Sequence, residues 1–157
     1  MRGVSVFFDT NVLVYAHDEL SPFHEESALL LDLSLKKEIS GIISEQNIME
    51  LYRVLTNASA MSGKPLSPSE AKVLIEGTYL SGELKVMYPS KDTMRKTLEI
   101  ASQRKLTSAR IFDVRLYVQA LQNRPTYFVT YNTGDFKKSW RPADKDAGRN
   151  SLVQCRV

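Results

Sequence analysis

The sequence is poor in the residues that build cross-links and soft metal sites. Cys155 is the only cysteine in 157 residues, so no disulfide can form within one chain. That suits a reducing compartment. The two histidines, His17 and His24, lie near the first helices and too close together to suggest a paired acid–base mechanism; both read as surface or packing residues. Long apolar runs are missing as well. None approaches the roughly 18–20 residues needed to cross a bilayer. The apolar stretch at the N-terminus is cut at Asp9, which does not make a signal peptide. A cytoplasmic protein with no membrane partner is expected. There are no repeats and no low-complexity tract. The formal net charge of +3 is only weakly basic and by itself shifts the odds toward a polyanionic partner very little.

What is present is ordinary for a soluble globular protein: 43% hydrophobic and 25% charged residues. The length fits one domain with a sizeable core. Strand-like and helix-like segments alternate. A buried strand is expected over Val4 to Phe8. Ser21 and Pro22 open a helix through "HEESALLLDLSLKK", and "ISGIIS" is a short strand. Ser44 can cap a helix to about Leu55, with Ile48, Leu51, Tyr52 and Leu55 as its apolar stripe. Ser67, Pro68 and Glu70 form a capping-box signature that starts another helix. "ELKVMYP" reads as a strand, Ser90 caps "KDTMRKTLEIASQRK", and Ser108 opens "ARIFDVRLYVQALQN". Pro125 precedes the strand "TYFVTY", and "LVQCRV" is a last strand. "VLVYA" is ambiguous, being β-branched yet preceded by a good cap in Asp9 or Thr10. Strands separated by helices imply a parallel sheet covered on both faces, with sites at the carboxyl ends of its strands.

Four acids draw attention. Asp9 ends the first strand inside an apolar run, where a carboxylate is costly unless paired or placed at an edge; the plain alternative is a helix N-cap. Glu50 points away from the apolar stripe of its helix and reads equally as a solvated side chain. In the helix around Asp113, Arg115, Gln119 and Gln122 share one polar arc, and Asp113 falls far from it on a face expected to be buried. Its alternative is a structural salt bridge to Arg110, one turn back. Asp135 follows the strand "TYFVT" beside Gly134, with Thr130 and Asn132 near; its alternative is a turn aspartate. Three or four carboxylates without histidine or cysteine suit Mg²⁺ or Mn²⁺ and argue against a dedicated zinc site.

The segments "VFFDTNVLVYA", "NIMELYRVL", "ARIFDVRLYVQAL" and "VTYNTGDF", in that order, resemble the PIN-domain nuclease family, most closely its VapC-like toxin branch. The resemblance implies one PIN domain over residues 1–157, a Rossmann-like α/β fold with about five parallel strands and helices on both faces, and a helical "VLVYA". It implies an Mg²⁺- or Mn²⁺-dependent endoribonuclease. The family's acids fall on Asp9, Glu50 and Asp113, with the variable fourth on Asp135, as catalytic and metal-binding residues. Thr10, Asn11, Thr130 and Asn132 match the polar residues around them. Two positions depart from the pattern: Val114 follows the third acid where a small residue is common, and Asn132 stands where some members carry an acid. A homodimer and a small antitoxin protein as inhibitor are implied partners.

For an RNA substrate, Lys137, Lys138 and Arg141 follow Asp135 directly, and Arg53 lies one turn after Glu50; all four are candidates for phosphate contacts. Tyr131 and Trp140 are candidates for stacking on unpaired bases. Two other readings compete. One is a PIN-like module that binds RNA or protein without cutting. The other is a haloacid-dehalogenase-like phosphatase, which needs a second acid where this chain has Asn11.

Overall fold

The structure, a computed structural model, describes residues 3–132 and the backbone of residues 153–154. Five strands form one sheet: β1 (Ser5–Phe8), β2 (Ser40–Ser44), β3 (Lys85–Met87), β4 (Tyr127–Val129) and β5 (Val153–Gln154). Their order across the sheet is β3-β2-β1-β4-β5, and every neighbouring pair is parallel. β1 is therefore central. The chain winds outward from it to β2 and β3, then crosses back to lay β4 against its other edge. That reversal creates a switch point between the carboxyl ends of β1 and β4, where ligands bind in open α/β sheets.

Alternation along β1 supplies both layers. Val6 and Phe8 point into the larger core with α1 (Thr10–Tyr15), α2 (His24–Leu35), α3 (Glu45–Leu55) and α4 (Pro68–Tyr79). Phe7 points the other way. It joins Ile42, Phe128 and, from α6 (Arg110–Asn123), Leu116 and Ala120. Helix α5 (Lys91–Gln103) packs beside α6 on that face. Where α2 crosses β2 the approach is close: a Cβ on Gly41 would stand 2.7 Å from Ser34 Oγ, so only glycine fits there. Among the described residues no helix is long and apolar enough to cross a membrane.

Most expected starts and stops are observed. "VLVYA" is helical, with Asp9 as its N-cap. Ser44, Ser67 and Ser90 each form a reciprocal capping box. Three expectations fail. Ser21 and Pro22 do not open α2, which starts at His24 with Phe23 as its N-cap; the Ser21 hydroxyl accepts from Phe23 N at 3.2 Å, ahead of the helix. Ser108 does not cap α6: it takes a left-handed φ of 57°, and the N-cap is Ala109, whose side chain has no oxygen to offer. Tyr52, expected in the apolar stripe of α3, is 39% exposed, while Ile48, Leu51 and Leu55 are buried.

Candidate active site

Asp9 is held where β1 stops. Its backbone N–H donates to Val129 O at 3.0 Å, which extends the β1–β4 ladder by one bond and sets Thr130 beside it. The carboxylate then accepts three hydrogen bonds. Thr10 N donates to Oδ1 at 2.7 Å; Thr130 Oγ1 and Asn11 Nδ2 donate to Oδ2 at 2.6 and 3.0 Å. Asn11 also donates to Thr130 Oγ1 at 3.2 Å, and its own carbonyl accepts from Tyr131 N at 3.3 Å. Asn132 reaches this group through its backbone N–H, which donates to Thr130 Oγ1 at 3.0 Å. Asp9 is thus both a cap and the centre of a polar cluster. Asn11 donates to Asp9 but has no ionisable proton, so it cannot serve as the acid a dehalogenase-like site requires at that position.

Glu50 is tied to the same cluster through Thr10, whose hydroxyl donates to Glu50 Oε2 at 2.5 Å and accepts from Asn47 Nδ2 at 2.9 Å. Gln46, one turn earlier on α3, donates to Glu50 Oε1 at 2.8 Å and to Phe112 O at 3.1 Å. The second of these bonds reaches the first turn of α6, next to Asp113.

Burial pushes the Asp9 carboxyl up to about 6. The bonds from Thr130 and Thr10 pull it down, and the negative charges of Glu50 and Asp113 add to the rise. Three acids are therefore close enough to feel one another. Among the described residues, neither Asp9 nor Glu50 forms an ion pair with a lysine or arginine. Nor, among the described residues, do three acid, histidine or cysteine side chains form a ready-made metal cage. Mg²⁺ does not require one, since it commonly takes one or two carboxylates and keeps several waters. An all-oxygen donor set in which Asp9 and Glu50 have no ion-pair partner among the described residues fits such a cation.

Asp113 corrects the helical-wheel reading. It is exposed, not buried. The arc assigned to solvent turns inward at Gln119 and partly at Arg115, while Gln122 stays exposed. Gln119 is 2% exposed and accepts from Ser44 Oγ at 2.6 Å, and the Arg115 guanidinium pairs with Glu45. Gln122 accepts from Thr93 Oγ1 at 2.7 Å. Two residues around the site were not singled out by sequence, Gln46 and Asn47. The signal for Asn47 was available, because the third residue after a capping serine commonly closes a capping box; here Asn47 Oδ1 accepts from Ser44 N at 2.7 Å. Gln46 carried only its spacing of four from Glu50.

Arg53 is exposed on the last turn of α3. Asp135, Lys137, Lys138, Arg141, Trp140 and Cys155 lie outside the described residues. Tyr131 packs against Phe23 and Tyr15, with ring centroids 4.4 and 5.3 Å away, and its hydroxyl lies 2.9 Å from Ser27 Oγ. Both histidines are packing residues. His17 Nε2 lies 2.7 Å from the Tyr79 hydroxyl, and burial, with His24 near, lowers it to about 4. His24 Nδ1 lies 3.0 Å from Tyr15 O.

An open parallel sheet with acids gathered at its switch point, clamped by hydroxyls and amides, defines a Rossmann-like α/β protein with an acidic site. The chain belongs to the PIN-domain family, whose sequence profile matches residues 6–139. It is 25% identical over 144 residues to a Mycobacterium tuberculosis protein named Ribonuclease VapC24, an alignment covering 88% of this chain and 97% of that one. Solved structures share the fold. The Mycobacterium tuberculosis VapC20 toxin, described as cleaving the sarcin–ricin loop, aligns with a TM-score of 0.64 at 14% identity over 87% of this chain and 99% of that one. VapBC2 from Rickettsia felis, solved with a promoter DNA fragment, gives 0.58 at 18% identity over 86% and 92%.

Proposed function

We propose that this protein is an Mg²⁺- or Mn²⁺-dependent endoribonuclease, a VapC-like toxin that acts as a homodimer and is restrained by a small antitoxin protein. The observation that carries this reading is the Asp9–Thr10–Glu50 assembly at the switch point, with its negative charge unbalanced by any cationic side chain among the described residues. Its family membership and the names of its relatives support the choice of RNA as substrate and of an antitoxin as partner.

Asp9, Glu50 and Asp113 are the residues that hold the cation, with Asp135 as a fourth acid. When bound, a divalent cation there supplies a Lewis acid that activates water and offsets the charge developing on the phosphoryl group. The chain's own residues do the rest. Thr130 and Asn11 fix Oδ2 of Asp9, and Thr10 fixes Glu50, so the carboxylates keep their places without rearranging during the reaction. In-line attack by water breaks the bond to the 3′ oxygen, leaving a 3′-hydroxyl and a 5′-phosphate. Lys137, Lys138, Arg141 and Arg53 are the proposed contacts to RNA phosphates.

Incubating the purified chain with single-stranded and hairpin RNA tests the proposal. Cleavage in Mg²⁺ or Mn²⁺, abolished by EDTA and by Asp9→Asn, is expected. RNA binding without cleavage in either metal would establish a non-cutting module instead, and hydrolysis of phosphate monoesters alone would point to a phosphatase.

A further inference from the structure

Gln46 is 6% exposed and sits in the first turn of α3. Its amide nitrogen donates to two acceptors, Glu50 Oε1 and Phe112 O. Both nitrogen hydrogens are thereby used, and the amide cannot be turned over, because that would set its oxygen against two other oxygens. The carbonyl oxygen is consequently fixed, and it is buried with no hydrogen-bond partner among the described residues. Buried acceptors are nearly always satisfied, so an orphan of this kind calls for an explanation such as a bound water or ion. This one belongs to a side chain that joins the helix carrying Glu50 to the residue preceding Asp113 in sequence.

We propose that Gln46 is a positioning residue for the divalent cation: its amide nitrogen holds Glu50 in register with the first turn of α6, and its carbonyl oxygen accepts a hydrogen bond from a water of the hydrated cation. The inference rests on the endoribonuclease reading above and adds to it a side chain and a ligand class, the hydrated divalent ion. Water on a cation presents its hydrogens outward, which is the donor the orphan oxygen lacks. A helix spacer alone would need only the amide nitrogen.

The test is a pair of variants, Gln46→Met, which keeps length and loses all three polar interactions, and Gln46→Ala, which serves if the first does not fold. Mn²⁺ alone is titrated into each chain without RNA, followed by electron paramagnetic resonance, and cleavage is then measured against RNA and Mn²⁺ concentration. Loss of an outer partner of a metal site weakens metal affinity or activity by roughly 10- to 100-fold. A weakening of Mn²⁺ binding in that range, with kcat reduced and KM for RNA unchanged, is expected. If wild type binds Mn²⁺ and cuts RNA, and the variants do so equally well, Gln46 is a helix spacer and the inference fails while the ribonuclease reading stands. A wild-type chain that neither binds Mn²⁺ nor cuts RNA removes the reading and the inference together.

Discussion

Helices α3 and α6 each bring one candidate acid toward Asp9, yet their polar residues are used differently. In α3 the apolar stripe of Ile48, Leu51 and Leu55 turns inward, and Glu50 lies off that stripe with partners of its own. In α6 part of a polar arc turns inward, with Gln122 at its exposed edge. Gln119 is bonded to Ser44, Arg115 is paired with Glu45, and Gln122 is bonded to α5, while Phe112 and Leu121 face out at 48% and 43% exposure. Helix α3 is seated by its apolar stripe, whereas α6 adds these hydrogen bonds to the buried side chains of Val114, Leu116, Val118 and Ala120. The first kind of seating follows from sequence periodicity; the second depends on what the neighbours offer.

The comparison breaks most sharply in activity. Glu50→Gln and Asp113→Asn should each lower the rate of RNA cleavage on the order of 10³-fold, about 4 kcal/mol at the barrier, despite their different seating. A large loss from Glu50→Gln with Asp113→Asn near wild type would remove α6 from the site. Stability comes next. Leu51 is fully buried, so Leu51→Ala should cost about 2–5 kcal/mol in a denaturant melt. Gln119→Leu should cost about 1–3 kcal/mol, because it strands the Ser44 hydroxyl in the interior. A neutral Gln119→Leu would mean that the Ser44–Gln119 bond contributes little to the seating of α6.

A smaller effect, about 1–2 kcal/mol, sharpens the picture of the acids themselves. The folded chain holds Asp9 protonated up to about pH 6, whereas an unfolded aspartate has lost its proton from about 3.8 upward. Between those values the folded state binds more protons, so wild-type stability falls as pH rises, and the penalty is complete above about 6. Asp9→Asn removes the charge and should therefore be more stable than wild type at pH 8 in EDTA. The gain stays below the full shift because the new amide sets donors against Asn11 and Thr130. It should vanish near pH 4. Melts at both pH values check this, and a variant less stable than wild type at pH 8 would mean the lost acceptor outweighs the charge. Leu121→Gln, on the exposed side of α6, should fall within about 0.5 kcal/mol of wild type in the same melts.

Much was legible in the sequence because it depended on local chemistry. Ser44, Ser67 and Ser90 mark helix starts because a hydroxyl satisfies orphan N–H groups within its own turn. Asp9 stood out because a carboxylate rarely interrupts a buried strand, and alternating strands and helices left little choice but a parallel sheet. The start of α6 was misread for the converse reason. A left-handed Ser108 looks like any other serine until the preceding chain fixes its φ.

What the sequence alone determined is thus the class of fold, the place of Asp9 at the end of the first strand, and the presence of an acid set without histidine or cysteine. Tertiary structure alone decided which neighbour each polar group meets: Thr10 linking Asp9 to Glu50, Gln46 spanning from α3 to α6, and the inward turn of Gln119. The bonds from Thr10 to Glu50, from Gln46 to Phe112 and from Ser44 to Gln119 join residues 40, 66 and 75 positions apart. A hydrogen bond acts over about 3 Å, so its existence depends on packing that no local pattern of residues records.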